Sequence, residues 1–346
     1  MKLSLLASYA DDPAALVRGL PSLEAAGLDM VWLSEAYSFD AVSVAGAVVQ
    51  ATSRLEVGTG ILNVYSRTPA LLAMTAATLD HLSGGRFTLG LGASGPQVIE
   101  GFHGVEYLHP AERVIDTIRI CRTVWAREPL EYQGKAVTVP LPPDRGTGQG
   151  KALKLVNHPL RERIPIVWAS MRPRAVRATA ELADGWMPIF YLPERAAEVY
   201  GPALAEGSAR RPADLGPLDV IAGGAVAVDD PAAIAGAVAG ARAQLALYVG
   251  GMGSRTTNFY NDLVRRYGFE AEAERIQELY LAGRKREAAE AVPEELVQAT
   301  NLIGSSGDVR GRIEAYRAAG VTTFCASGVS GDPVGTLATL RKLFDA

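Results

Sequence analysis

The residues of this sequence that could do chemistry follow predicted β-strands. Each lies at or just after the carboxyl end of an apolar run. Together they offer one carboxylate, one amide, two hydroxyl groups and one guanidinium, so few groups are available for acid–base catalysis. Such a set suits an enzyme in which a bound cofactor carries the reaction itself. The residues are Glu35, Asn63, Ser94, Ser170 and Arg172.

The cysteines and histidines do not form a recognisable site. Cys121 and Cys325 lie far apart without a CxxC motif, which argues against a disulfide scaffold and a zinc ribbon. The histidines at 81, 103, 109 and 158 lack metal-site spacing such as HExxH. The chain also shows no Ser-His-Asp order. We therefore predict no metal ion, and a reducing, cytoplasmic compartment.

A glycine-rich motif, GLGASG, occupies residues 90–95 and follows a predicted strand. A Rossmann site would also need an acidic residue about 20 residues further on, at the end of the next strand. That region is a predicted helix here, which argues against a Rossmann site. Gly92, Ser94 and Gly95 can still bring bare backbone N–H groups close to an anion. A tight turn without a ligand is the alternative.

Strand and helix signals alternate along the 346 residues. The predicted strands are continuous apolar runs, as expected for strands covered on both faces by helices. Eight such units favour one closed (β/α)8 TIM barrel, which needs roughly 250 residues and tolerates insertions. A doubly wound open sheet is the alternative. The predicted strands span residues 3–8, 29–34, 54–62, 86–91, 165–169, 186–190, 218–228 and 321–326.

Two irregular regions interrupt this alternation. Residues 129–163 contain a predicted hairpin around Gln133-Gly134 and a long, mobile surface loop rich in Pro and Gly. Residues 251–300 are predicted to be a helical segment rich in Glu and Arg. We therefore expect a single barrel domain over residues 1–346 that carries both regions as insertions.

Charge and hydropathy narrow the range of partners. The net charge of −4 argues against a nucleic-acid-binding protein. The longest apolar candidate for a membrane span, around residues 221–250, is interrupted by Asp229, Asp230 and Arg242. We therefore expect no membrane span, and a small molecule as substrate.

Four blocks of sequence and a C-terminal stretch carry a family resemblance. The blocks are VWLSEAYSFDA (31–41), VGTGILNVYSRTPALLAMTAATLDHLSGGRFTLGLGASGPQVIEGFHG (57–104), GTGQGKALKL (146–155) and IPIVWASMRPRAVRATAELADGWMPIFYLPE (164–194), and the stretch is IGSSGDVRGRIEAYRAAGVTTF (303–324). On these residues the sequence resembles the bacterial luciferase-like superfamily, in its coenzyme F420-dependent oxidoreductase branch. This branch includes the methylenetetrahydromethanopterin reductases.

The resemblance implies a TIM barrel that forms a homodimer and holds a deazaflavin at the carboxyl ends of its strands. It also implies a non-prolyl cis peptide at Gly60-Ile61, bulging against the back of the ring. The phosphate of the cofactor would lie near the ends of the fourth and fifth strands. The residues implied there are Gly92, Ser94, Gly95, Ser170, Met171 and Arg172.

The chain departs from its relatives in the turn after the fifth strand. Relatives commonly have glycine before the proline of this turn, where this sequence has Met171-Arg172-Pro173. Arg172 can form a charge-assisted contact with the phosphate or with the glutamate tail of the cofactor. A solvated surface arginine is the alternative.

Three residues are candidates for catalysis. Glu35 is an active-site acid or orients the substrate, and the alternative is a charge pair at a helix N-terminus. Asn63 can hydrogen-bond to the deazaflavin or to the substrate, and the alternative is a turn-forming role. His103 can donate a proton near neutral pH, although a lone histidine is also common as a structural residue.

Three functions are compatible with these observations. The first is an F420-dependent oxidoreductase that moves a hydride between C5 of the deazaflavin and a C=C, C=N or carbonyl/alcohol group. The second is an FMN-dependent luciferase-like monooxygenase that uses dioxygen. The third is a non-catalytic barrel that binds a cofactor or a partner.

Overall fold

A computed structural model describes residues 1–10, 12–253 and 255–346. Asp11 and Ser254, the latter within the predicted second insertion, lie outside the described residues. The strands are β1 (Lys2–Ala7), β2 (Met30–Leu33), β3 (Glu56–Thr59), β4 (Leu62–Asn63), β5 (Phe87–Gly92), β6 (Tyr132–Gln133), β7 (Thr138–Val139), β8 (Ile166–Trp168), β9 (Gly185–Trp186), β10 (Asp219–Ala222), β11 (Ala225–Val228), β12 (Leu302–Gly304), β13 (Thr323–Ala326) and β14 (Gly328–Val329). The helices are α1 (Pro13–Ala25), α2 (Ala41–Ala51), α3 (Pro69–Leu82), α4 (Pro96–Ile99), α5 (Pro110–Trp125), α6 (Pro173–Leu182), α7 (Pro193–Ser208), α8 (Pro231–Gly251), α9 (Phe259–Arg266), α10 (Glu270–Leu281), α11 (Lys285–Glu290), α12 (Glu294–Ala299), α13 (Ser306–Ala318) and α14 (Pro333–Asp345).

Eight parallel strands form a closed barrel. Their order is β1, β2, β3, β5, β8, β9, β10 and β13, and β13 pairs with β1 to complete the ring. The predicted (β/α)8 barrel is therefore confirmed. A barrel of this kind brings the carboxyl ends of all eight strands to one rim, where the candidate residues are expected.

Close approach between two barrel strands requires glycine at position 90. A Cβ atom added to Gly90 of β5 would lie 1.7 Å from the carbonyl oxygen of Thr59 in β3. The Thr59 hydroxyl accepts a hydrogen bond from the Gly90 N–H at 2.9 Å and donates one to the Gly90 carbonyl at 2.8 Å. Side chains from four of the barrel strands form a buried cluster that consists of Met30, Trp32, Val167, Ile221 and Cys325.

The strand predicted over residues 218–228 is in fact two strands. After β10 the chain steps out of the barrel, and β11 pairs with β12 and β14 in a second, parallel sheet. Gly223 and Gly224 permit this step, because added Cβ atoms would lie 2.3 Å and 2.1 Å from the carbonyl oxygens of Cys325 and Thr300. The predicted strand over 186–190 is also shorter, since only Gly185–Trp186 pairs in the barrel.

The two irregular regions lie between barrel elements. An antiparallel pair, β6 and β7, follows α5, and a long connection without regular structure leads on to β8. Helices α9 to α12 follow α8, and α8 packs against α10, α11 and β11.

Helix α8 is the one helix in the described ranges that is long and apolar enough to cross a membrane. Much of its apolar content is alanine. Its Arg242 donates a hydrogen bond to the Val292 carbonyl at 2.8 Å and pairs with Glu294. These contacts are those of a helix packed within the fold.

Candidate functional site

The barrel rim contains a bulge between β3 and β4. The Gly60-Ile61 peptide at this bulge is cis, as the resemblance implies. The Ile61 side chain lies against Gly92, where an added Cβ would be 2.9 Å from Ile61 Cγ1. On its other side, an added Cβ at Gly60 would lie 2.8 Å from Leu6. The structure thus brings Gly60, Ile61 and Gly92 together at the carboxyl ends of neighbouring strands.

The turn after β5 is held by Tyr107. Ser94 has a φ of 58°, in the left-handed region that is uncommon for residues other than glycine. Its carbonyl accepts a hydrogen bond from the Tyr107 hydroxyl at 2.9 Å, and the Tyr107 ring stacks on Tyr65 with centroids 5.2 Å apart. Burial raises the pKa of Tyr107, and the nearby positive charge of Arg172 opposes that rise. Gly95 follows directly and precedes α4. Ser94 and Gly95 therefore lie on the same side of the rim as Arg172.

A cavity of about 400 Å³ opens where α6 begins. Arg172 is the residue before α6 and provides no side-chain cap, so the first N–H groups of the helix lack a side-chain acceptor. A helix N-terminus also carries a partial positive charge. The lining residues are Met171, Arg172, Pro173, Arg174, Phe259, Asp262, Leu263 and Arg266.

The guanidinium of Arg172 lies on an aromatic ring, and arginines outnumber the one carboxylate, Asp262, among the described residues that line the cavity. The guanidinium lies over the ring of Phe259, 3.9 Å from the centroid. Within the described ranges Arg172 forms no ion pair, whereas Arg174 pairs with Glu112. A planar guanidinium fixed in this way suits bidentate binding of phosphate or carboxylate. The cavity therefore suits an anion.

Phe259 and Arg266 were missed by the sequence reasoning. Both belong to α9, within the insertion, and they reach the end of β8 only through the tertiary fold. No local motif in the sequence marks them. The insertion thus supplies one wall of the cavity.

Ser170 follows β8 at the predicted place, but its hydroxyl is bonded within the protein. It is buried, and its hydroxyl is 2.8 Å from the hydroxyl of Thr179. Its carbonyl accepts a hydrogen bond from Trp186 Nε1 at 2.9 Å. Ser170 does not line the cavity, whereas its neighbour Met171 does. In this structure Ser170 packs the turn and does not present a hydroxyl to a ligand.

Glu35 forms an ion pair that the sequence reasoning missed. Its two carboxylate oxygens accept hydrogen bonds from Arg67 at 2.6 Å and 2.8 Å, and one also accepts from the Ala41 N–H at 3.1 Å. The Glu35 side chain is only 7% exposed. Arg67 also pairs with Asp40, which caps α2. This geometry is the helix N-terminal charge pair that was the alternative to an active-site acid.

Asp40 is held ionised at the edge of this network. Partial burial would raise the pKa of its carboxyl, but hydrogen bonds from Ser43 and the charge of Arg67 outweigh that effect and lower it. The Asp40 carboxyl therefore stays ionised at neutral pH, and the network fixes the starts of α2 and α3.

The other two catalytic candidates differ in their bonding. The Asn63 Oδ1 accepts hydrogen bonds from the backbone N–H groups of Tyr65 and Ser66 at 3.0 Å and 2.8 Å, so Asn63 forms the turn after β4. His103 follows α4 and packs edge-on against Phe102, with centroids 5.3 Å apart. Its Nε2 is buried without a hydrogen-bond partner. Of the three candidates, His103 alone has a buried polar side-chain atom without a hydrogen-bond partner among the described residues.

Comparison with known proteins agrees with this geometry. The luciferase-like monooxygenase family model matches residues 3–323. A Mycobacterium tuberculosis protein, named provisionally as a coenzyme F420-dependent oxidoreductase, is 42% identical over 98% of this chain and 99% of its own.

Two solved structures share the fold. The coenzyme F420-dependent tetrahydromethanopterin reductase of Methanopyrus kandleri superposes with a TM-score of 0.80 at 22% identity, covering 98% of this chain and 96% of that one. An F420-dependent secondary alcohol dehydrogenase, in complex with an F420–acetone adduct, gives a TM-score of 0.75 at 18% identity, with 99% and 97% covered. At these identities the similarity establishes the fold alone.

Proposed function

We infer the function of this chain from the family to which it belongs, the luciferase-like monooxygenases, and propose that it is a coenzyme F420-dependent oxidoreductase. The similarity to the mycobacterial relative supports this assignment within the family. The observation that carries it in the structure is Arg172, which lies on the Phe259 ring beside an uncapped helix N-terminus and has no ion pair among the described residues. Coenzyme F420 has a phosphate and a tail of carboxylates, which are the groups such a cavity would bind.

The residues present fit this cofactor. We propose that Arg172 and the N–H groups at the start of α6 hold the phosphate. We propose that Arg266, which also donates a hydrogen bond to the Val199 carbonyl, contacts the carboxylates of the tail through its remaining N–H groups. We propose that Gly60, Ile61 and Gly92 support the ring, with Ser94 and Gly95 providing backbone N–H groups beside it. The turn that carries Ser94 is fixed by Tyr107, so these groups are positioned before the cofactor binds.

When bound, F420 would supply hydride chemistry at C5 of its deazaflavin to a small organic substrate. The protein contributes binding, orientation and proton transfer. Holding both reactants in place converts an encounter in solution into a reaction within one complex, which accounts for a large part of the rate of such enzymes. We propose that His103 exchanges the proton that accompanies the hydride, since Glu35 and Asn63 are already bonded to the protein.

Binding of F420 and FMN to the same preparation tests the assignment. We expect a low-micromolar dissociation constant for F420 and much weaker binding of FMN, both measured by fluorescence. The Arg172→Ala variant should bind F420 roughly tenfold or more weakly, because a hydrogen bond to a charged group contributes about 1.5–3 kcal/mol. Arg286→Ala is the matched control, since Arg286 is 91% exposed in its side chain and pairs only with the neighbouring Glu290.

Two results would contradict the proposal. Tight FMN binding without F420 binding would assign the chain to the oxygen-dependent monooxygenases. Unchanged F420 affinity in Arg172→Ala would show that the phosphate binds elsewhere.

We also propose that two copies associate through α2 and α3, and that the protein acts in the cytoplasm. Helix α2 contains no charged residue, and the one acidic residue of α3, Asp80, is buried in an ion pair with Arg161. The exposed residues of α3 are mostly apolar: Leu71, Met74, Thr78, His81 and Leu82. An outer face of this composition is typical of a surface covered by another subunit. The two cysteines are free thiols, as expected in a reducing compartment.

A further inference from the structure

Six aromatic side chains surround the barrel mouth beside the proposed cofactor site. They come from the ends of β1 and β2, from the loops after α4 and β9, and from α8 and α9. We call this set the aromatic wall. It consists of Tyr9, Tyr37, Phe102, Phe190, Tyr248 and Tyr260.

Five of the six rings of the aromatic wall contact one another in two groups. Tyr37 and Phe102 form one group, with centroids 6.1 Å apart. Phe190, Tyr248 and Tyr260 form the other, with edge-to-face contacts of 4.8 Å between the two tyrosines and 5.3 Å between Phe190 and Tyr248. Tyr9 and Tyr37 lie near enough to Tyr248 that their ionisation would raise its pKa, so the two groups lie close together.

One group is packed and the other is open. Phe190 is 8% exposed, whereas Tyr37 and Phe102 are 67% and 65% exposed. Large apolar side chains clustered on an open surface mark a place where a ligand or a partner binds. The packed group provides a rigid base, and the open group leaves ring surface for a ligand.

Phe190 is fixed by a strained backbone and a buried tyrosine. Its φ is 50°, in the left-handed region that a bulky residue rarely adopts. The buried Tyr267 hydroxyl donates a hydrogen bond to the Phe190 carbonyl at 3.0 Å, and that hydroxyl accepts one from the Leu192 N–H at 3.4 Å. Strain of this kind persists where the surroundings enforce it, commonly at binding sites.

The aromatic wall and the arginine cavity belong to the same mouth. Tyr260 follows Phe259, the ring under Arg172, and lies near enough to Tyr107 and Tyr9 that their ionisation would raise its pKa. The positive charge is therefore on the side of the cavity, and the six side chains of the wall are uncharged. Aromatic faces attract cations, but the arginines of the neighbouring cavity oppose a cationic ligand, and the wall offers no positive charge to pair with an anion.

We propose that the substrate is an uncharged, planar aromatic compound whose ring stacks on the aromatic wall. This inference rests on the proposed function, because the F420 site places the reacting group of such a substrate beside the cofactor. A flexible aliphatic substrate would gain less from rings arranged in this way, since stacking depends on the ring geometry of both partners.

Four aldehydes of related structure test the substrate class on the full chain, with and without F420. They are trans-cinnamaldehyde, the flexible trans-2-octenal, the anionic 4-carboxycinnamaldehyde and the cationic 4-(trimethylammonio)cinnamaldehyde. Equilibrium dialysis gives their dissociation constants independently of turnover. We expect cinnamaldehyde to bind at least several-fold more tightly than each of the other three.

The Tyr37→Ala/Phe102→Ala double variant ties that preference to the wall. We expect it to bind cinnamaldehyde about tenfold more weakly, as two lost ring contacts would give, while its affinity for F420 stays unchanged. Leu281→Ala is the control, because Leu281 is 50% exposed but lies at the end of α10, outside the wall.

The outcomes separate this inference from the proposed function. Equal or tighter binding of octenal or of either charged aldehyde would overturn the substrate class, as would unchanged cinnamaldehyde binding in the double variant. Preference for cinnamaldehyde without any F420 binding would support the aromatic site while overturning the cofactor assignment. F420 binding without that preference would overturn the aromatic substrate alone.

Discussion

The buried negative charge of Glu35 at the barrel rim is stabilised by its ion pair with Arg67. The carboxylate is largely buried and accepts two hydrogen bonds from that single guanidinium. We expect Arg67→Met to reduce the free energy of unfolding by about 3 kcal/mol, near the lower end of the range for breaking a buried ion pair, because Arg67 keeps some contact with water. Chemical denaturation at pH 7 measures this change. A decrease in the free energy of unfolding below 1 kcal/mol would show that water already stabilises the negative charge of Glu35.

The matched control for that measurement is Arg286→Met. Its ion pair with Glu290 is on the exposed surface of α11, and such pairs contribute at most about 1 kcal/mol. The two replacements remove the same charge, so a difference between their effects on the free energy of unfolding reports on the burial of the Glu35–Arg67 ion pair.

Individual residues at the site were predictable when local sequence determines their role. The cis peptide at Gly60-Ile61 followed from a family block, whereas Asn63 forms the turn that was the alternative to its predicted catalytic role. Glu35 was placed at the rim, but its partner Arg67 lies 32 residues away in sequence and becomes a neighbour only when β2 and β3 pair. Phe259 could not be assigned to Arg172 for the same reason.

At the scale of the elements, the pairing of β3 with β5 depends on a glycine. We expect Gly90→Ala to destabilise the barrel severely or to prevent folding, because the new methyl group would meet the Thr59 carbonyl, which is backbone. Gly236→Ala is the matched control. Gly236 lies in α8 with no atom within 4 Å of an added Cβ, so this change should stabilise the protein by about 0.5–1 kcal/mol.

Thermal unfolding of the two variants, followed by circular dichroism, measures this difference. If Gly90→Ala were as stable as the native protein, β3 and β5 could move apart without loss of stability, which would contradict this prediction.

Alternation of apolar runs and helices was sufficient to predict the barrel, but not the second sheet. Residues 218–228 form one apolar run, and the step between β10 and β11 depends on contacts with Thr300 and Cys325 that are distant in sequence. Strand β12 is only three residues long and follows the helical insertion directly, so its signal is weak. The barrel strands were predictable because their continuous apolar runs pack on both faces.

At the scale of the whole molecule, the proposed dimer face and the active site share two helices. Asp40 and Arg67, which pair with each other, precede α2 and α3 directly. The uncharged outer surfaces of these helices would then pack against a second copy while their N-termini face the mouth. Association would thereby restrict the motion of the segments that carry Asp40 and Arg67, the partners in the Glu35 network.

Light scattering after size exclusion tests this arrangement. We expect twice the chain mass of 36.6 kDa for the native protein and the single-chain mass for Met74→Glu, because Met74 is 49% exposed on α3 and a buried, unpaired carboxylate would oppose association. Leu281→Glu, at a position of similar exposure on α10, should leave the dimer intact. If Met74→Glu stayed dimeric while Leu281→Glu dissociated, the interface would involve the helical insertion, and the aromatic wall formed partly by α8 and α9 would lie nearer to the second subunit.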